Sequence, residues 1–269
     1  MAAELERLTP SIGRLLAPNP SPMTLTGTNT YLVGQTEIAV IDPGPDLPEH
    51  VDAIVEALRL LGKPAISLVT HQHGDHLPAA IRLRERLGVP VGGHPALPDV
   101  DRRLANGEIV ALADVHLRSL HTPGHTPDHT CFLLEEEQAL FAGDLVAGIG
   151  TVVVGSGRGE LADYFRSLDL IAQVAPMLLL PGHGPLVREP SAKIAEYLEH
   201  RLGRERQVLD ALAAGATTVP AMVARIYPDV NPELRAQAGR NVTAHLMKLE
   251  DERRVVAGGD AWRLVGTDR

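Results

Sequence analysis

One cysteine, Cys131, stands in 269 residues, so no disulfide can close within the chain and a reducing compartment suits it. Aromatic residues make up only 3%, which leaves Leu, Val, Ile and Ala to fill any core. Long apolar runs are missing too. The run "MLLL" at 177–180 falls far short of the roughly 20 residues that span a bilayer. The opening stretch "MAAELERLTPSIGRLLAPNPSPMTLTG" has no basic segment followed by an apolar block. Neither a membrane partner nor a secretory signal is expected, and the cytoplasm is the expected location.

An excess of positive charge is also lacking. The net charge is −9, from 25 basic and 34 acidic residues. Residues 192–269 hold 12 of the basic and 11 of the acidic ones, leaving residues 1–191 with 13 and 23. An acidic body sets up no broad field to draw in a polyanion, which weakens a nucleic-acid role. Acidic groups that hold metal cations are, however, partly neutralised by them.

What the chain does have is α/β alternation. "TYLVG" (30–34) and "EIAVID" (37–42) read as strands paired around Gly34-Gln35. A helix follows, with Asp46 as cap, Pro48 in its first turn and Val51, Ile54, Val55, Leu58 and Leu61 on one face. "AISLVT" (65–70) reads as a buried strand, 77–88 as a helix ending at Gly88, and "VPVGG" as the next strand. Further strands are expected around 109–121, at 130–134, 139–143 and 151–154 ("TVVV"), then a helix over 160–175. "GSGRG" (155–159) reads as a mobile loop and lacks the flanking lysine motif of a phosphate cradle. This order predicts a layered α/β sandwich over residues 1–190. Residues 191–269 change character: helices over 192–214, 219–227 and 231–254, the last opening on the cap Asn231-Pro232, precede a hairpin. That succession looks like a winged helix.

Histidine is concentrated where the strands end. "SLVTHQHGDHLPAA" puts His71, His73, Asp75 and His76 within six positions after a buried strand. Three later strand ends carry the same residue types beside glycine: "HTPGHTPDH" with His125, "FAGDLV" with Asp144 and "LLLPGHGP" with His183. Neutral imidazoles and carboxylates suit zinc, and iron or manganese also fit a mixed His/Asp set. His71 and His73 alternate along an extended backbone and so share a face, with His125 completing one metal site. Asp75, His76 and His183 make a second, and Asp144 can bridge the two. Two divalent ions about 3.5–4 Å apart share a hydroxide, the expected nucleophile, which Asp75 is placed to orient. His129, four residues after His125, is a candidate to support a ligand from behind. Of the remaining histidines, His50 and His94 read as surface turns, and His116, His121, His200 and His245 as structural or solvated. Cys131 reads as packing.

These four segments resemble the metallo-β-lactamase superfamily, which implies a four-layer αββα sandwich of binuclear metallohydrolases over roughly residues 20–190. "PSPMTLTGTNTYLVG", "TPGHTPDHTCFLLEEEQALFAGD", "PGHGP" and the winged-helix-like tail together resemble the lactamase-beta-like-2 family, across nearly the whole chain. By that resemblance His71, His73, Asp75, His76, His125, Asp144 and His183 are metal ligands, with no position substituted. The family's eukaryotic member cleaves single-stranded RNA, which implies an endoribonuclease. The ligand set does not choose the bond, because substrate selection lies in loops. Glyoxalase-II-like thioesterases and lactonases share it, and relatives with the "GTNTYLVG" opening act on carrier-bound thioesters. The 39 residues from Asp144 to His183 leave no room for the inserted domain of the β-CASP nucleases. Arg225, Arg235, Arg240, Lys248, Arg253, Arg254 and Arg263 give the tail a nucleic-acid surface, or, balanced by Glu250, Asp251 and Glu252, a solvated face. A winged helix can equally pack on the body or on a second subunit, giving a homodimer. The non-enzymatic alternative is a metal-sensing DNA-binding regulator.

Overall fold

The computed structural model describes residues 4–154 and 157–266. Gly155 and Ser156, within the expected loop, lie outside the described residues. The first sheet pairs β1 (Glu6–Arg7), β2 (Ile12–Leu16), β3 (Asn29–Val33), β4 (Glu37–Ile41), β5 (Lys63–Val69), β6 (Val91–Gly93) and β7 (Arg102–Arg103) in chain order. Its first four strands run antiparallel. Helices α1 (Pro48–Leu61) and α2 (Pro78–Leu87) then cross over between β4, β5 and β6, which makes those pairs parallel. The second sheet holds β8 (Ile109–Ala111), β9 (His116–His121), β10 (Thr130–Leu134), β11 (Ala139–Gly143) and β12 (Leu178–Pro181), ordered β12-β11-β10-β9-β8. Helix α3 (Glu160–Val174) carries the chain from β11 to its parallel neighbour β12.

Side-chain alternation along the strands decides the layers. Tyr31, Val33, Ala39 and Ile41 face inward and meet Leu117, Phe132, Leu134 and Phe141 of the second sheet. Leu32, Ile38 and Val40 face outward onto Val51, Ile54 and Leu58 of α1 and Leu83 of α2. On the other side, Cys131, Leu133 and Leu140 pack against Tyr164, Leu168 and Ile171 of α3. The result is the four-layer αββα sandwich. Cys131 is a buried packing residue, as expected.

The tail comprises α4 (Pro190–Ala213), α5 (Val219–Ile226), a single 3-10 turn at Pro232–Leu234, α6 (Arg235–Asp251), β13 (Val255–Gly258) and β14 (Ala261–Leu264). The Asn231 side chain caps the 3-10 turn by accepting from the Glu233 N–H. Val208, Leu212, Met222, Val242, Leu246 and Leu249 form the tail's own core. Helix α4 belongs to both regions: Ile194 and Tyr197 pack with α3, Val208 and Leu212 with the tail. No helix among the described residues is long and apolar enough to cross a membrane.

Three local expectations need correction, and one hairpin was not expected. Asp46 does not cap α1; Leu47 occupies that position without a side-chain bond, and Asp46 pairs with Arg82. His50 is not on a surface turn but fully buried in α1. Thr151–Val154 form no strand. The hairpin of β1 and β2 has no counterpart among the sequence expectations.

Candidate metal centre

Every candidate ligand leaves the end of a strand. β5 delivers His71, His73, Asp75 and His76 onto the loop before α2, the β9–β10 connection carries His125, and Asp144 and His183 follow β11 and β12. Backbone polar groups beyond a strand end are released from the ladder, so loops there can turn side chains into one cavity. The structure brings all seven predicted residues together in two groups, His71, His73, His125 and Asp144 in one, Asp75, His76 and His183 in the other.

In the first group the Nδ1 atom of His73 lies 3.0 Å from His71 Nε2 and 3.1 Å from His125 Nε2. Asp144 turns its Oδ2 to this side, 3.4 Å from His125 Nε2 and 4.0 Å from His71 Nε2. Its Oδ1 faces the second group, 3.3 Å from His183 Nε2 and 3.6 Å from His76 Nε2. Asp75 Oδ2 completes that side at 3.2 Å from His183 Nε2 and 3.7 Å from His76 Nε2. One carboxylate therefore presents an oxygen to each group. His76 Nε2 and Asp144 Oδ1 are buried without any hydrogen-bond partner. Such orphans are rare, and divalent ions would satisfy both. The donor set of five imidazoles and two carboxylates fits that reading.

The imidazoles are fixed from behind, and each bond leaves the other ring nitrogen aimed inward. His76 Nδ1 donates to Asp42 Oδ2 at 2.9 Å, and His71 Nδ1 donates to the Thr70 hydroxyl at 3.0 Å, which in turn donates to Asp42. His125 Nδ1 donates to the Val153 carbonyl at 2.7 Å, and His183 Nδ1 lies 3.3 Å from the Gly27 carbonyl. His129 does not enter either group. Its Nε2 accepts the backbone N–H of Asp144 at 3.1 Å, while its Nδ1 donates to Thr122. It holds the backbone of Asp144, a candidate ligand, from behind.

The electrostatics match. Burial pushes the Asp144 carboxyl up, but His76, His183 and His71 around it more than offset this and hold it well below the usual carboxylate range. Burial lowers His183, yet Asp144 and Asp75 beside it push it up to about 10. His71 and His129 are held well below 6.5, chiefly by burial, and stay neutral.

Four contributors escaped sequence reasoning. Asp42 is buried, at φ 47°, and its carboxylate accepts from Thr70 and His76 at once. Its signal was there: an aspartate ending an apolar strand before Pro-Gly. Asn29 donates to the carbonyls of Pro181 and Gly184 at 2.9 and 2.8 Å, and Tyr31 to that of Pro181 at 2.7 Å. Together they clamp the turn that carries His183, which gives the "TNTY" segment a physical purpose. Gly182 passes so close that a Cβ there would lie 2.8 Å from both Asp144 Oδ1 and His76 Cε1.

A cavity of about 230 Å³ opens onto His125, Asp144 and His183. Pro22, Met23, Leu25, Ile149, Val152 and Val153 line it, and among the described residues no lysine or arginine does. Met23 and Ile149 are 65% and 61% exposed, so the lip is apolar.

Comparison with known proteins agrees with this architecture. The family model "Metallo-beta-lactamase superfamily" matches residues 23–102 and 95–183, and "Beta-lactamase associated winged helix domain" matches 218–262. An atrochrysone carboxyl ACP thioesterase of Aspergillus chevalieri is 35% identical, over 98% of this chain and 90% of its own length. A beta-lactamase-like protein 2 homolog of Drosophila melanogaster is 35% identical, over 91% and 90%. Among solved structures, a metallo-beta-lactamase family protein from Thermus thermophilus superposes with a TM-score of 0.80 at 25% identity, covering 96% of this chain and 100% of that one. With sandwich, strand-end ligand groups and tail in agreement, the chain belongs to the metallo-beta-lactamase superfamily of hydrolases and carries that family's associated winged helix.

Proposed function

We propose that this hydrolase cleaves a thioester with an apolar acyl group at a two-metal centre. His71, His73 and His125 would hold one ion and Asp75, His76 and His183 the other, with an Asp144 oxygen facing each group. Zinc is the ion this donor set favours. Divalent ions bound there would supply Lewis acidity toward the scissile carbonyl and toward an attacking water. Asp75 is the more exposed of the two carboxylates, at 28% against 12% of the side chain. It would accept the hydrogen bond that orients an attacking water. His71, His76, His125 and His183 each keep one nitrogen bonded to the protein, so the centre is pre-organised before substrate arrives.

The observation that carries the substrate reading is the cavity wall. Met23, Leu25, Ile149, Val152 and Val153 approach the ligand groups, with no lysine or arginine among the described residues that line the cavity. An acyl chain gains by burial there, at about 25 cal/mol per Å² of apolar area. A phosphodiester backbone usually relies on lysine or arginine. The relative named as a thioesterase supports the same choice. Single-stranded RNA cleavage and DNA-dependent regulation find no such support in the wall. In the tail, Lys248 pairs with Glu205 and Glu252, and Arg254 with the same two acids.

A substrate panel tests the proposal. Zinc-loaded protein should turn over a medium-chain acyl thioester and leave labelled single-stranded RNA intact, with chelator-treated protein inactive on both. Efficient RNA cleavage with the thioester untouched would reverse the assignment.

A further inference from the structure

We infer that Arg201, on the helix leading into the winged-helix tail, is a positioning residue for His125 and so sets how tightly one of the two ions is held. Arg201 is 3% exposed, and among the described residues no carboxylate pairs with it. A buried cation without a counter-charge is unfavourable, so what its donors do instead is informative. The guanidinium lies 5.2 Å over the Tyr164 ring and donates to the Val152 carbonyl at 2.6 Å. The next carbonyl along, that of Val153, is the acceptor for His125 Nδ1 at 2.7 Å. Arg201 thus grips the peptide adjoining the one that orients a candidate ligand.

The same loop is anchored at its other end. Tyr164 donates to the Leu145 carbonyl at 2.6 Å, and the Ala147 N–H donates to the Tyr197 hydroxyl at 2.9 Å. The Gly148 N–H adds a backbone bond to the His183 carbonyl. From there to the acceptor of His125, the Arg201 bond is the side-chain tether that holds the segment. The segment forms no strand, so it has no ladder of its own to resist movement. Without Arg201 the Val153 carbonyl is free to drift, and the His125 ring loses the bond that selects its tautomer. The side chains of Asp75, His76 and His183 are oriented by other groups and keep their places.

The inference rests on the two-ion reading, and a chelator titration with metal content measured at each step separates the two. Wild type should release its ions late, and His125→Ala should give up one of them early. Arg201→Met keeps the side chain's length and loses its donors. It should resemble His125→Ala, with one ion lost at about 10–100-fold less chelator and the other unchanged. Glu205→Gln, one turn along α4, disturbs the buried contacts to Lys248 and Arg254 and serves as a control for destabilisation alone; it should titrate like wild type. Should Arg201→Met fail to fold, Arg201→Lys carries the test, since an ammonium does not replace a stacked guanidinium. Either folded variant releasing both ions as wild type does overturns the inference. Wild type that binds no ion overturns the two-ion reading instead.

Discussion

Each imidazole of the centre but His73 has one nitrogen committed to the protein and the other turned toward its neighbours. That division explains why the ligands were legible in the sequence while their supporters were not. Four strand ends carrying histidine or aspartate beside glycine, with the spacing His71-x-His73-x-Asp75-His76, left few readings. Asp42, Thr70 and Asn29 do equivalent work with residue types that turns use everywhere. Gly182 is a case where the missing Cβ is the function. A methyl in Gly182→Ala would press on Asp144 Oδ1 and His76. Zinc affinity should weaken at least about tenfold, the scale of disturbed ligand support, while helical content by circular dichroism stays unchanged. Unaltered affinity would show that the turn relaxes freely. Asp75→Asn should keep at least one ion but slow turnover by about 100-fold or more, the scale of a lost general acid–base contact. Wild-type rates would remove the orienting role given to Asp75.

At the scale of elements, strands and helices with clean periodicity were readable to within a few residues. β3 and β4, buried on both faces, and α1 and α2, each with one apolar face, show this, with Gly or Pro at their boundaries. "TVVV" failed because β-branched composition signals a pleated surface, and here the carbonyls that a ladder would use are taken by Arg201 and His125. β1 and β2 were missed because Pro10 and Pro18 punctuate a short apolar run that only the edge of an existing sheet makes into strand. His50 was misread because α1 turns it inward, where its Nε2 donates to Thr30 and ties helix to sheet at 2.9 Å. Burial holds its pKa down to about 4, against 6.5 for an ordinary histidine. The unfolded chain takes up a proton near pH 6.5 and the folded one only near 4. His50 is therefore harmless to stability above 6.5, and stability falls as pH drops between the two values. The slope attributable to it approaches about 1.4 kcal/mol per pH unit. Urea unfolding of His50→Leu at pH 7, 6 and 5 should show a shallower decline than wild type. A parallel decline would mean that His50 does not report this linkage.

At the scale of the whole molecule, α4 is the element that sandwich and tail share. Its first half is buried against α3 and its second against the winged-helix core. Arg158 of the body pairs with both Glu250 and Asp251 at the end of α6, and Lys248 lies 5.1 Å over the Phe165 ring of α3. These charges of the tail are thus engaged in docking and with one another, in keeping with an acidic body that offers no steering field to nucleic acid. Glu205 is the centre of that network, 5% exposed and shared by Lys248 and Arg254. Glu205→Ala would leave Lys248 with Glu252 as its remaining carboxylate, and thermal or urea unfolding should register a loss of about 2 kcal/mol, the scale of hydrogen bonds to a charged group. A loss below about 0.5 kcal/mol would place the pair with ordinary surface bridges.

Asp144 serving both halves of one centre is the claim on which the enzyme reading depends. Metal content per chain, measured on zinc-reconstituted wild type and Asp144→Ala after exhaustive dialysis, addresses this most directly. Two ions per chain in wild type and fewer than one in the variant is the expected result. Equal metal content in the two proteins, or none in either, would contradict it.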